Sequence, residues 1–159
     1  GFNADLDAGM PPVGGPQGFA VVRKIAAEIG YTTAETNFTL SLTRIAATLN
    51  RRSLIVVLTD FEDVISAELM MENIARLSRR HLILFVTFSN STLEELQNNT
   101  VSSLADMGRA IVANTALRDR RIVLERLRRL GVDCIETTPE EFGTELLNSY
   151  MRLKRRDAI

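Results

Sequence analysis

The chain has 159 residues, 45% of them hydrophobic and 25% charged, with a formal net charge of -1. That length and mixture suit one globular domain with a core of its own and exclude a disordered tail, and the near-neutral balance gives no overall attraction to nucleic acid or to an anionic membrane. No apolar run approaches the roughly 18 residues that span a bilayer, and the single cysteine, Cys134, excludes a disulfide framework and a multi-cysteine zinc site while fitting a reducing, cytoplasmic setting.

Residues 1–16 contain Gly9, Pro11, Pro12, Gly14, Gly15 and Pro16 and read as a loop, with at best a strand remnant over residues 1–6. The chain begins at Gly1 rather than Met, so it is expected to be a fragment whose parent could carry a membrane anchor. Phe19, Val22, Ala26 and Ile29 fall at helical spacing over 17–29, before the terminator Gly30. A second helix is predicted from about Thr36, with Phe38, Leu42, Ile45 and Leu49 on one face, Glu35 or Thr36 near its start and Asn50 at its close.

Residues 54–58 are an unbroken apolar, β-branched run, which predicts a strand buried on both faces. A helix over 64–79 follows, carrying Ala67, Met70, Ile74 and Leu77, and then a second buried strand over 81–88. Ser91 with Glu94 three residues on predicts the start of a short helix over 91–98. A long helix over about 101–130 ends at Gly131, a third strand covers 132–136, and Pro139 opens a last helix carrying Phe142, Leu146, Tyr150 and Leu153. Buried strands alternating with long helices predict one α/β domain: a three-layer, Rossmann-like parallel sheet flanked by helices. The basic runs at 118–129 and 152–156 are interleaved with Leu and Ile and read as solvated helix faces.

Ligands of open α/β sheets gather beyond the carboxyl ends of the strands. The loop after the first strand holds Thr59, Asp60, Glu62 and Asp63, whose oxygens suit a hard cation such as Mg²⁺. Asp60 or Asp63 equally suits the cap of the following helix, and taken alone capping is the simpler account. The 11–16 stretch lacks the Gly-Lys-Ser/Thr ending of a phosphate loop. His81 reads as a strand-edge residue, Cys134 as a small core residue, and Met70 and Met71 as core filler; one His and one Cys far apart give nucleophilic catalysis little support.

Several strings carry a family resemblance. Glu35-Thr36-Asn37 before a helix, followed by Asn50-Arg51-Arg52-Ser53-Leu54-Ile55-Val56-Val57-Leu58-Thr59-Asp60, resembles a von Willebrand factor A-type domain. Pro11-Pro12-Val13-Gly14-Gly15-Pro16-Gln17, Leu77-Ser78-Arg79-Arg80-His81-Leu82-Ile83-Leu84, Leu127-Arg128-Arg129-Leu130-Gly131-Val132 and Tyr150-Met151-Arg152-Leu153-Lys154 narrow the likeness to the bacterial domain-of-unknown-function fifty-eight family, often encoded beside MoxR-type AAA+ ATPases.

The resemblance implies a parallel sheet of order 3-2-1-4-5-6 and a metal-ion-dependent adhesion site holding Mg²⁺ or Mn²⁺. It matches Thr36 to the site's threonine and Asp60 to its later aspartate. The Asp-x-Ser-x-Ser motif of that site is nowhere in the sequence, so the chain is expected to be the C-terminal part of such a domain, beginning near the third strand. Thr36 and Asp60 alone would then hold a metal weakly, leaving this fragment without a cofactor. The strand over 54–58 would have an open edge, to be covered by dimerisation or by the N-terminal segment. The function implied is a non-enzymatic protein-binding module, with a MoxR-type ATPase as partner and Thr59, Glu62 and Asp63 at the contact. The alternative is a receiver-like or other small-ligand domain using Asp60; an enzyme using Asp60 or Asp63 as base lacks a paired partner.

Overall fold

The computed structural model describes residues 15–28, 37–59, 64–98 and 103–155. The chain forms two compact units, Gly1–Thr48 and Leu49–Ile159. In the first, α1 runs Gly15–Glu28 and α2 runs Phe38–Thr48. The start of α2 is set by Asn37, whose Oδ1 accepts the Leu40 amide at 2.9 Å, one residue after the expected Thr36 and two after Glu35.

The second unit runs β1 (Leu54–Leu58), α3 (Val64–Ser78), β2 (Leu82–Phe88), α4 (Ser91–Asn98), α5 (Leu104–Arg129), β3 (Asp133–Thr137) and α6 (Phe142–Arg155). The three strands are parallel and lie in the order β1-β2-β3, so the unit is the α/β, Rossmann-like fold that the alternating pattern predicts. Residues paired in register share a face of the sheet, and Val57, Phe85 and Cys134 form one such row. The ladder continues past the strands: the Thr59 amide donates to the Val86 carbonyl at 3.2 Å, and the Ser89 amide to the Thr137 carbonyl at 2.9 Å.

One face of the sheet buries Ile55, Val57, Ile83 and Phe85. Both crossover helices, α3 and α5, lie on it and touch each other. From α3 come Ala67, Met70, Met71, Ile74 and Leu77, all buried on the one helix stripe that positions i, i+3, i+4 and i+7 define, so the two methionines are core residues as expected. The opposite face belongs to α6. There Leu84, Val86 and Ile135 form a cluster with Leu54, Phe142 and Leu146, and the Phe88 ring meets Phe142 edge-on at 5.7 Å.

β1 departs from the expectation of burial on both faces. Ile55 and Val57 are buried, but Val56 is 37% and Leu58 50% exposed. The physical reason is the position of α6, which packs on β3 and over the Leu84, Val86 and Ile135 cluster and stops short of β1, whose Leu54 alone joins that cluster.

Two helix starts also shift. Asn90, not Ser91, caps α4, its Oδ1 accepting the Leu93 amide at 3.2 Å. Thr138 precedes α6, its carbonyl accepting the Phe142 amide at 3.0 Å, so Pro139 lies in the turn before the helix rather than in it.

The end of α5 is built on Gly131, which has a φ of +82°. The Gly131 amide donates to the Arg128 carbonyl at 3.0 Å and the Val132 amide to the Leu127 carbonyl at 3.2 Å, the paired bonds of a Schellman turn. Val132 and Leu127 are both buried beneath it, so the turn fixes where β3 begins.

Candidate functional site

The carboxyl ends of the three strands carry hydroxyl side chains: Thr59 after β1, Thr87 and Ser89 at the end of β2, and Thr137 and Thr138 at the end of β3. Neighbouring strands lie about 4.8 Å apart, which brings these groups within roughly 10 Å of one another. Thr59, expected at the contact point, is half-buried at this edge. Thr36, Asp60, Glu62 and Asp63 lie outside the described residues. Among the described residues no group of three or more His, Cys, Asp or Glu side chains is placed to hold a metal ion.

Arg120 of α5 organises the edge. It is 8% exposed, which corrects the expectation that the whole basic run over 118–129 is a solvated face. Its Nε donates to Glu136 Oε1 at 3.0 Å, and its Nη2 donates to Thr87 Oγ1 at 2.5 Å and to the Phe88 carbonyl. One guanidinium thus joins α5 to the last residues of β2 and to β3. The fork of an arginine suits this, since its donors diverge in a plane while its stem packs among apolar groups. The signal was legible: Arg120 stands seven residues after Ala113 and three, four and seven before Val123, Leu124 and Leu127, all buried. Helical spacing places it on the core stripe.

Glu136 keeps its outer side in water, and Glu140, Glu141 and Glu145 follow it, exposed. The edge is therefore acidic and rich in hydroxyls, a surface of hydrogen-bond acceptors and donors around one buried cation.

A helical hairpin rises beside it. Arg120 lies level with the strand ends, so the 16 residues of α5 before it extend about 24 Å beyond the sheet at 1.5 Å per residue. α4 packs along this extension, with Gln97 Nε2 donating to Asn114 Oδ1 at 3.3 Å. Leu104, Met107, Ile111 and Val112 are exposed on it, Leu104 by 88% and Val112 by 67%. Sequence reasoning missed this stripe, although Leu104, Met107 and Ile111 follow the spacing of one helix face on a helix longer than the sheet is deep.

The two side chains most often used in nucleophilic catalysis do not meet. His81 precedes β2, buried, with its amide donating to the Leu77 carbonyl at 2.9 Å. Cys134 pairs with Phe85, four residues further along, or about 13 Å. Burial pushes the Cys134 thiol up from 9.0 to about 11, against a lowering by Arg128 and with a further rise from Asp133. The group is a thiol at neutral pH, without the thiolate character that nucleophilic attack requires.

No family model matches the chain, and no curated protein or solved structure matches it. No helix among the described residues is long and apolar enough to cross a membrane.

Proposed function

We propose that the chain is a von Willebrand factor A-like protein-interaction module, without catalytic activity, that takes its partner at the carboxyl edge of the sheet and along the neighbouring helical hairpin. The observation that carries this reading is the exposed stripe of Leu104, Met107, Ile111 and Val112 on a helix that overhangs the acidic, hydroxyl-rich edge. Contiguous exposed apolar residues rimmed by polar groups are the usual mark of a protein contact, and each leaves water at a gain when covered. The consecutive parallel order β1-β2-β3 agrees with the last three strands of the order 3-2-1-4-5-6, which supports the resemblance at the level of topology.

In this reading Thr59, Glu62 and Asp63 touch the partner. Asp60, with Thr36, is the remnant of an adhesion site for Mg²⁺ or Mn²⁺, and two oxygen ligands are too few to hold either ion well. The partner carried by the resemblance is a MoxR-type AAA+ ATPase. The test is binding of the protein to a MoxR-type AAA+ ATPase, with and without Mg²⁺. Ile111→Glu is expected to weaken binding about tenfold or more, and Asp60→Ala to remove any dependence on Mg²⁺. Binding that neither substitution changes would overturn the assignment of this edge.

A further inference from the structure

The net charge of -1 conceals a segregation of charge by the sheet. Arg51 and Arg52 lead into β1, Arg79 and Arg80 lead towards β2, and Arg128 and Arg129 close α5 just before β3. Parallel strands put all three entries at one edge, and the last turn of α6 adds three more cations there. That α6 ends at this edge follows from Arg152, which lies 3.9 Å from Asp133 at the start of β3. The opposite edge carries Glu136, Glu140, Glu141 and Glu145, and its Arg120 is buried against Glu136.

The six arginines of the strand entries are exposed, and among the described residues none of them makes an ion pair. The acids nearby are few: Asp133 faces Arg152, and Glu125 lies a turn back on α5. α3, α5 and α6 all end here, and the partial negative charge of a helix C-terminus draws cations, which accounts for part of the accumulation. Arg51 and Arg52 belong to no helix. Leu54 pairs with Leu82, and the Leu82 amide donates to the Ser53 carbonyl at 2.9 Å, so Arg51-Arg52 and Arg79-Arg80 both flank the entry end of the β1–β2 ladder. Four like charges gathered at one edge and left unpaired by the described residues repel one another, a cost the fold itself does not require.

We propose that this amino edge is a docking surface for an acidic polypeptide segment. Guanidinium forks match carboxylates in a bidentate geometry that a lysine cannot reproduce, and the strand entries are furnished with arginine alone. A nucleic acid is disfavoured because the entry segments offer no aromatic ring for a base to stack on, His81 being buried, and because the acidic far edge repels a long polyanion. A lipid surface is disfavoured because Leu130 is the one exposed apolar side chain among these entries. The surface lies at the other end of the sheet from the carboxyl edge and stands whether or not that edge binds a partner.

The test is fluorescence anisotropy of the intact chain with a fluorescein-labelled oligo-glutamate peptide, at about 50 mM and about 300 mM salt. The peptide is expected to bind at the lower salt and to weaken sharply at the higher. Neutralising Arg51→Gln, Arg52→Gln, Arg79→Gln and Arg80→Gln together is expected to lower affinity about tenfold. Each adjacent pair changed alone is expected to lower it about threefold, which keeps the test open if the fourfold variant folds poorly. Arg118→Gln with Arg121→Gln, exposed on the flank of α5, is expected to leave affinity within about twofold. No binding at low salt, or an equal loss in the flank variant, overturns the proposal. Tighter binding of phosphatidylserine vesicles or of a DNA duplex than of the peptide also overturns it, in favour of those partners.

Discussion

The Nε of Arg120 lies 3.0 Å from Glu136 Oε1, and the same guanidinium reaches the Thr87 hydroxyl at 2.5 Å, so one side chain of α5 ties together the ends of β2 and β3. The two sides of this contact are unequal. Arg120 is buried, whereas Glu136 is 41% exposed and regains water when released.

Arg120→Ala is therefore expected to cost about 3 kcal/mol, because it leaves the buried Thr87 hydroxyl and the Phe88 carbonyl without this donor and opens a void under the sheet. Glu136→Gln is expected to cost about 1 kcal/mol or less, since the oxygens on β2 still hold the guanidinium. Denaturant unfolding of the two variants checks the asymmetry. Equal losses would mean that the exposed ion pair, and not the buried bonds, anchors α5.

Gly131 supplies the left-handed residue of the turn that ends α5, and a Cβ added there meets nothing within 4 Å. Gly131→Ala thus isolates backbone strain from packing. A loss of about 1 kcal/mol is expected, seen as a fall of about 2–4 °C in Tm.

The one-sided burial of β1 predicts a split between neighbours. Ile55→Ala and Val57→Ala remove side chains packed under α3 and α5 and are expected to cost about 2–3 kcal/mol each. Val56→Thr and Leu58→Thr, on the other face, are expected to stay within about 1 kcal/mol. Thermal melts of the four variants decide it, and equal losses on both faces would show that a covering element is present over Val56 and Leu58.

Cys134 makes a prediction in pH. Burial holds its proton in the folded chain past the ordinary value of 9.0 and up to about 11. The contribution to stability is thus complete below about pH 9 and is lost as the pH rises through about 11, because the unfolded chain releases the proton first. The stability difference between the parent chain and Cys134→Ala is expected to shrink over that window. At pH 8 the native thiol is expected to react with a disulfide reagent far more slowly than the denatured one.

The repeating units of the fold were legible because each follows from a local period. The unbroken apolar runs of β1 and β2 announced a parallel sheet, and Gly131 announced the end of α5. What was not legible depends on which element covers which face. The composition of 54–58 does not say that α6 stops short of β1, leaving Val56 and Leu58 partly in water. Charge obscured Arg120, since a basic run is usually a wet face, although its spacing from Val123, Leu124 and Leu127 put it on the core side. Asn37 and Asn90 were overlooked as caps for a similar reason: Thr36 and Ser91 beside them have comparable propensity, and only the direction of the chain selects between neighbours. Of the site, Thr59 was placed where the strand pattern put it, while the overhanging hairpin came from the length of α5, which no motif marks.

That length has a mechanical consequence. α5 is one unbroken helix from its overhanging tip to the turn at Gly131, and Arg120 pins it to the strand ends part of the way along. It is a cantilever, with an overhang of about 24 Å and a root of about 14 Å held in the core by Val123, Leu124 and Leu127. A load on the tip is therefore borne where the overhang meets that root, at Arg120 and its bonds to the strand ends.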